Sequence, residues 1–327
     1  MILLLSLSNK IIYGLLFNKS GNFLKMYKHI LSLLSKLYDL VGRAIKSLKY
    51  KINMKMFVVR SLDDYKVLKI NIDEHTKALN QLIPSKEQSF ELEGYSFEAA
   101  RDVDFLVDFQ YATFPNVNWR ERVLCPVTGL NNRTRYSLMI LEMFLRISRN
   151  DKVYLMEQVT PLFPYLKKKY PNLIGSEYIN DSFNSGEKNS SGILHQDATK
   201  LSFSNDSFKI ILSFDVFEHI PNFKKAFEES LRVLKNGGRL IFTVPFVLRE
   251  NKTLIRARIK PNGDIEHLCE PEYHGDPMAS GDGILCFQHF GWDLIGLLKA
   301  IGFKDAYAVI GYSIELGFPS PQIIFIA

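Results

Sequence analysis

The chain has 327 residues, of which 46% are hydrophobic, so it is long enough and apolar enough to bury a full core. Its three cysteines are too few, and odd in number, for a disulfide framework, which indicates a reducing compartment. The net charge of +6 comes from 41 Lys/Arg and 35 Asp/Glu, but the first 60 residues hold eleven of the basic residues and one acid. The rest of the chain, with 30 basic and 34 acidic residues, is mildly acidic, so we expect no nucleic-acid partner.

Residues 1–56 are predicted to form a basic, amphipathic N-terminal extension, in which apolar residues recur at three- and four-residue steps. A basic amphipathic helix is typical of contact with an anionic membrane surface, here through residues 23–55. The alternatives are a helix that packs on the domain, or a native start at Met54 or Met56. No apolar run reaches the length of a membrane span. We therefore expect a cytoplasmic protein, with membrane association as the alternative.

Residues 57–136 are predicted to form an N-terminal α/β or helical cap region. Within it, Phe97–Phe114 carries apolar residues at helical spacing, which predicts a helix. A tight turn is predicted at Cys125–Gly129, where a single cysteine cannot supply the four ligands of a structural zinc site. Arg133 and Arg135 follow this turn, and either bind an anionic group of a substrate or are structural.

Helix and strand patterns alternate after this region. Ser137–Ser148 has the pattern of a helix, Lys152–Met156 is a strand candidate, and Leu173–Tyr178 contains a strand that ends in the acid Glu177.

The clearest unit lies within Ile193–Pro245. Two strands rich in Ile, Val and Phe, Ile210–Phe214 and Leu240–Val244, flank a helix at Phe223–Leu234. The helix is predicted to stop at Asn236-Gly237-Gly238, because glycine takes the left-handed conformation at little cost. The unit is therefore a parallel βαβ motif with a right-handed crossover.

Two stretches of this unit, Asp215-Val216-Phe217-Glu218-His219-Ile220 and Arg232-Val233-Leu234-Lys235-Asn236-Gly237-Gly238, resemble the type 11 group of class I S-adenosylmethionine-dependent methyltransferases. The resemblance covers about residues 151–327 and implies a methyltransferase-like domain at 137–327. It implies an α/β fold, with a Rossmann-like, seven-stranded, mostly parallel sheet whose last strand is antiparallel. Helices cover both faces, and the basic segment adds an N-terminal helical extension. The cofactor implied is S-adenosylmethionine.

The glycine-rich turn that the family places after its first strand is degenerate in this chain, which has the glycine-free sequence EQVTPLF there. The resemblance still implies that Glu157, Gln158 and Thr160 surround the methionine part of the cofactor. It also implies that Asp215 and Phe217 shape the methyl pocket.

Acids also recur at the expected spacing, since Glu177 comes twenty residues after Glu157, and Asp197 comes twenty residues later again. The resemblance implies that Glu177 accepts hydrogen bonds from the ribose hydroxyls. It places Asp197 and the N–H of Ala198 against the adenine.

Residues 246–288 are predicted to form a substrate-side insertion, because so long a connection is usually functional. A helix at Gly291–Ile301 and an antiparallel hairpin complete the domain. His274, in the insertion, or His219 is predicted to be the general base, and the alternative for His219 is a structural role. No pair of residues shows a recognised zinc spacing, so no metal is predicted.

The predicted function is S-adenosylmethionine-dependent methyl transfer to a hydroxyl of a small molecule or saccharide, by analogy in bacterial cell-surface polysaccharide biosynthesis. The alternative is a non-catalytic binding or assembly protein that keeps the methyltransferase fold. The sequence gives no oligomeric state.

Overall fold

The computed structural model describes residues 54–145, 147–275, 278 and 283–327. In chain order the strands are β1 (Lys55–Val59), β2 (Phe90–Ser96), β3 (Arg101–Val107), β4 (Val123–Leu124), β5 (Val153–Leu155), β6 (Leu173–Gly175), β7 (Phe208–Phe214), β8 (Leu234–Thr243), β9 (Leu254–Ile255), β10 (Ala257–Ile259), β11 (Ile265–His267), β12 (Tyr273–His274), β13 (Ile284–Leu285), β14 (Gln288–His289), β15 (Tyr307–Ser313) and β16 (Phe318–Ile326). The helices are α1 (Leu62–Asn80), α2 (Asn132–Phe144), α3 (Leu162–Lys169), α4 (Phe223–Val233) and α5 (Asp293–Ile301).

The main sheet has seven strands in the order β1-β15-β16-β8-β7-β5-β6. The pairs β6/β5, β5/β7 and β7/β8 are parallel, whereas β16 runs antiparallel to β8. The predicted α/β class, the Rossmann-like sheet and the antiparallel last strand are confirmed. One edge strand, β1, comes from residues that the sequence analysis did not assign to the sheet, so the predicted boundary at residue 56 falls inside a strand. The segment around Asp197 contributes only an isolated parallel bridge, Glu177–His195.

Both faces of the main sheet are covered, because successive strand residues point to opposite sides. Ile211, Leu240 and Phe242 belong to one core cluster, together with residues of α1, α4 and α5. Their strand neighbours Ile210 and Ile241 are equally buried but lie outside that cluster, on the side where α2 contacts β16 and β8. Each such side chain contributes about 1.5–3 kcal/mol to folding by its burial, so the four parallel strands form a rigid base for their exposed ends.

The predicted β7–α4–β8 unit is present, but its helix ends earlier than expected. Asn222 caps α4 by accepting a hydrogen bond from the N–H of Lys225 (3.3 Å), and the helix is already complete at Val233. The predicted stop at Asn236–Gly238 is wrong, because these residues lie inside β8. Gly237 does have a positive φ of 69°, yet it serves an irregularity in the pairing of β8 with β7.

The cap region forms a three-stranded antiparallel sheet, β2-β3-β4, so the helix predicted at Phe97–Phe114 is wrong. In β3, Phe105 and Val107 are buried while Leu106 between them is 39% exposed, which is the two-residue period of a strand. The predicted turn after Cys125 is confirmed by a hydrogen bond from the N–H of Gly129 to the Cys125 carbonyl (2.9 Å). Helix α2 begins at Asn132, before the predicted Ser137.

Residues 1–53 lie outside the described residues, so the N-terminal helical extension and its membrane contact remain predictions. Among the helices that the structure does describe, none is both long and apolar enough to cross a membrane. The insertion at 246–288 consists of short strands that pair as β9/β14, β10/β11 and β12/β13.

Candidate active site

The acids that follow three adjacent parallel strands meet at one edge of the sheet. Glu157 follows β5, Glu177 follows β6 and Asp215 follows β7. Glu177 Oε1 accepts hydrogen bonds from the N–H groups of Gln158 (2.5 Å) and Val159 (2.9 Å). This carboxylate therefore fixes the turn after β5 in place of the missing glycines. The predicted residues Glu157, Gln158 and Glu177 are thus brought together.

The Gln158 side chain connects this turn to the segment at residues 192–194. Gln158 Oε1 accepts a hydrogen bond from the N–H of Leu194 (3.0 Å), and Gln158 Nε2 donates to the Gly192 carbonyl (3.5 Å). The buried hydroxyl of Thr160 has no hydrogen-bond partner among the described residues. Burial raises the pKa of Glu157 to about 7.

Asp197 lies on a turn that its own side chain stabilises. Asp197 Oδ1 accepts hydrogen bonds from both the N–H and the hydroxyl of Thr199 (2.8 Å each), while the Asp197 N–H donates to Ser185 Oγ (2.9 Å). Within the described part of the chain, the N–H of Ala198 has no acceptor. The turn therefore keeps one donor available at the position that the sequence analysis assigned to adenine.

Five residues form what we call the arginine–aspartate network: Arg120, Glu121, Arg133, Asp215 and Thr243. Asp215 accepts two hydrogen bonds from Arg120 (2.6 and 2.7 Å) and one from the Thr243 hydroxyl (2.8 Å), and Arg133 Nε lies 3.4 Å from its Oδ2. Glu121 pairs with Arg133 (2.9 Å). Burial acts to raise the pKa of Asp215, but the two guanidinium groups hold it well below its usual range.

Two other predicted residues have structural surroundings. The side chain of Phe217 is fully buried and packs on Phe227 (ring centroids 4.2 Å apart), and its part in shaping the methyl pocket stays a prediction. Arg135 is also fully buried, donates a hydrogen bond to the Gly317 carbonyl, and lies over the Phe105 ring at 4.1 Å. Arg135 therefore joins α2 to the cap region.

Beside the network lies a second group, which we call the His–Glu cluster: Glu218, His219 and His274. Glu218 and His219 belong to a short 3₁₀ turn directly after β7, whereas His274 comes from β12 in the insertion. Glu218 Oε1 lies 3.7 Å from His219 Nε2 and 3.6 Å from His274 Nδ1. The two predicted bases therefore share one site, although nothing in their sequence spacing links them.

Main-chain contacts fix the insertion to the turn after β7. Gln288 Nε2 donates hydrogen bonds to the carbonyls of Phe217 (2.6 Å) and Ile220 (3.2 Å), and the N–H of Phe287 donates to the Glu218 carbonyl (2.7 Å). The Glu218 and Glu272 carboxylates raise the pKa of His274 to about 9. In this state His274 is charged at neutral pH, so His219 is the better placed proton acceptor.

One family model matches the part of the chain from α3 to β8, which includes Glu177 and Asp215. Residues 162–242 match the family model of a methyltransferase domain, the type 11 group. By this match, residues 162–242 form part of a methyltransferase domain. The resemblance drawn from the sequence is thereby confirmed, and the methyl donor of such a domain is S-adenosylmethionine. No sequence among the curated proteins matches the chain.

Several solved structures show a weaker similarity. YcgJ from Bacillus subtilis is 23% identical over 34% of this chain and 51% of its own, with a TM-score of 0.28. S-adenosylmethionine-dependent methyltransferases from Methanosarcina mazei (14% identity, 57% of this chain, 94% of theirs) and Mesorhizobium loti (12%, 57%, 95%) each give a TM-score of 0.34. The chain covers about half the length of the first of these structures. At these TM-scores, the assignment depends on the 162–242 match.

The edge of the sheet where the strand-end acids meet fits S-adenosylmethionine, because some polar groups there have no hydrogen-bond partner in the described part of the chain. The buried Thr160 hydroxyl lacks a partner among the described residues, and so does the N–H of Ala198. The half-buried Glu157 carboxyl lies in the same connection after β5 as Thr160, next to the end of β7 in the strand order. Buried polar groups without partners are uncommon, and a bound polar ligand is one explanation for them.

Proposed function

We propose that the protein is a methyltransferase that methylates a hydroxyl group of a small molecule or saccharide. The observation that carries this proposal is the meeting of Glu157, Glu177 and Asp215 at the ends of three adjacent parallel strands, next to the matched domain segment. Ligands of open α/β sheets bind outside the carboxyl ends of the strands.

The strand-end residues divide the cofactor between them in this proposal. Glu157 and Arg133 bind the oppositely charged ammonium and carboxylate of its methionine part, and Thr160 donates a further hydrogen bond. Glu177 accepts from the ribose, while Asp197 and the Ala198 N–H contact the adenine. S-adenosylmethionine, when bound, supplies a methyl group on a positively charged sulfur. The protein's own contribution is to align the two reactants and to exclude water, which lowers the barrier to methyl transfer without a covalent bond between protein and substrate.

The acceptor lies beside the His–Glu cluster, which the insertion holds directly after β7. His219 Nδ1 hydrogen-bonds the Leu285 carbonyl (2.9 Å), so Nδ1 carries the proton and Nε2 is the basic nitrogen. His219 Nε2 therefore takes the proton of the acceptor hydroxyl, and charged His274 orients the acceptor. Exposed polar side chains of the insertion, which suit a saccharide, include Glu270 and Asp264.

A second candidate is the non-catalytic binding protein, which one specific observation favours. Arg120 and Arg133 already neutralise Asp215 through charge-assisted hydrogen bonds and ion pairing. In a binding protein this closed network would be permanent and no cofactor would enter.

Calorimetry separates the two candidates. Full-length protein is titrated with S-adenosylmethionine and with S-adenosylhomocysteine, and one site per chain is expected. Thr160→Val removes only an unpartnered hydroxyl, so we expect unchanged folding and about fivefold weaker cofactor binding. The matched control is Thr76→Val on α1, which should bind like the wild type. If folded wild-type protein gives no heat of binding with either compound, the methyltransferase proposal is refuted.

Peripheral membrane contact through residues 23–55 is proposed separately, because it depends on charge and amphipathicity alone. The full chain should float with anionic liposomes, and a chain lacking residues 1–55 should not. Equal flotation of both would remove the anchor from the proposal.

A further inference from the structure

The His–Glu cluster contains a buried charge that the protein itself does not satisfy. The Glu218 side chain is fully buried, and neither of its carboxylate oxygens has a hydrogen-bond partner among the described residues. A buried carboxylate without hydrogen bonds is costly, and the imidazole nitrogens of His219 and His274 face it at 3.7 and 3.6 Å, within ion-pair range but beyond hydrogen-bonding distance. A positive species between these three side chains would remove the penalty.

Each of the two imidazoles has one ring nitrogen directed towards Glu218, and its other ring nitrogen is hydrogen-bonded to an acceptor. His219 Nδ1 contacts the Leu285 carbonyl (2.9 Å), and a carbonyl only accepts, so Nδ1 bears the proton and Nε2 has the lone pair. His274 Nε2 contacts Glu272 Oε1 (2.9 Å), a carboxylate oxygen that only accepts, so Nε2 bears a proton. A metal ion at Nδ1 would displace the second proton of the charged imidazole, as metal binding to histidine does. Metal-binding histidines have this arrangement, with the outer N–H donated to a carbonyl or a carboxylate.

The spacing of the three inward atoms also fits a metal ion. With metal–ligand distances of about 2.0–2.2 Å, the ligands of a tetrahedral zinc ion lie about 3.3–3.5 Å apart. The distances of 3.6 and 3.7 Å from Glu218 need only a small contraction to reach this range. All three ligand atoms lie within 4.8 Å of one another.

We propose that Glu218 Oε1, His219 Nε2 and His274 Nδ1 bind a divalent transition-metal ion, with zinc as the simplest occupant. Two imidazoles and one carboxylate leave a coordination position open, as in catalytic rather than structural sites. With the ion bound, His219 and His274 would be its ligands and the ion would take over their roles towards the acceptor: the open position is available to the acceptor hydroxyl, whose pKa the ion would lower. This use rests on the proposed function, whereas binding of the ion does not.

A neighbouring set, Glu272, Cys286 and His289, is less suitable. Glu272 Oε1 is already shared by His274 Nε2 (2.9 Å) and His289 Nε2 (3.1 Å), and Cys286 Sγ donates to the Gln288 carbonyl (3.4 Å). These contacts make Glu272 an outer support of the site.

The test is a titration of the full-length, chelator-treated protein with ZnCl2, with metal content per chain measured after dialysis. We expect one zinc ion per wild-type chain, and no site in Glu218→Gln or His274→Ala. Glu272→Gln should weaken zinc binding by about 10–100-fold. His267→Ala removes an exposed histidine of the same insertion and should bind zinc like the wild type.

Thermal unfolding shows whether a variant fails to bind or fails to fold. Zinc should raise the Tm of the wild type and leave that of Glu218→Gln unchanged. Without zinc, Glu218→Gln should be at least as stable as the wild type, so its failure to bind zinc would not be a failure to fold. Absence of zinc from the wild type, or equal binding by wild type and Glu218→Gln, overturns the proposal. Loss of zinc in Cys286→Ser overturns it too, since the ion would then occupy the neighbouring set. None of these readouts uses cofactor or methyl transfer, so the proposed function is tested separately by calorimetry.

Discussion

The two charged groups after β7 differ in how completely the protein satisfies them. In the arginine–aspartate network, Asp215 receives three hydrogen bonds at 2.6–2.8 Å, from Arg120 and Thr243. In the His–Glu cluster, Glu218 is more deeply buried than Asp215 but receives no hydrogen bond from any described residue. Both acids follow the same strand, three residues apart. The first arrangement is what holds a fold together, whereas the second is what a ligand completes.

The network should dominate stability. Arg133→Met removes a guanidinium that pairs with both Asp215 and Glu121 and leaves Arg120 alone with the two carboxylates. Removal of one partner of a buried ion pair costs about 3–5 kcal/mol in the free energy of unfolding. Urea unfolding gives this value directly. Arg258→Met, which breaks an exposed pair with Glu266, is the matched control and should stay within about 0.5 kcal/mol of the wild type. Equal effects of both variants would contradict the structural role of the network.

Glu157 should make stability depend on pH. Burial raises its pKa from 4.5 to about 7 in the folded state. Stability that the protonated carboxyl contributes is therefore fully present below pH 4.5 and is lost as the pH rises through about 7. Glu157→Gln, which stays neutral, should match the wild type near pH 5 and exceed it by about 2–3 kcal/mol near pH 8.5. Denaturant unfolding at both values checks this, and the exposed Glu87→Gln should show no such gain. A loss of stability at the higher pH would reverse the assigned sign.

The sharpest comparison changes each acid to its amide. Asp215→Asn should destabilise the ion-free protein by about 2–3 kcal/mol, because Arg120 and Arg133 lose their common partner. Glu218→Gln should instead stabilise it by about 1–3 kcal/mol, since it removes an unsatisfied buried charge. Urea unfolding in the presence of a chelator measures both. Changes of the same sign would erase the distinction between the two groups.

Local pattern was enough to predict the central unit from its sequence. Strand β7, helix α4 and strand β8 each follow a short apolar period, and the type 11 motifs lie on them. Prediction was wrong where a pattern was ambiguous, as at Phe97–Phe114. There the few apolar residues fit a helical period, but in β3 Phe105 and Val107 are buried at the two-residue period of a strand.

Long-range contacts account for the rest of what the sequence analysis missed. Strand β1 finds its partner, β15, some 250 residues away, so no local signal marks it as part of the sheet. Likewise, Arg120 reaches Asp215 across 95 residues, and His274 reaches Glu218 from within the insertion. The proposed metal site has no fixed sequence spacing, because its ligands come from two separate elements, the turn after β7 and β12.

A crystal structure of the full-length protein with S-adenosylhomocysteine and zinc, with anomalous data at the zinc edge, tests the central claim most directly. We expect the cofactor product along Glu157, Thr160 and Glu177, and one anomalous peak between Glu218 and the two histidines. Crystals grown with saturating S-adenosylhomocysteine and zinc could instead contain S-adenosylhomocysteine away from these three residues, or not at all. Either result would contradict the methyltransferase account.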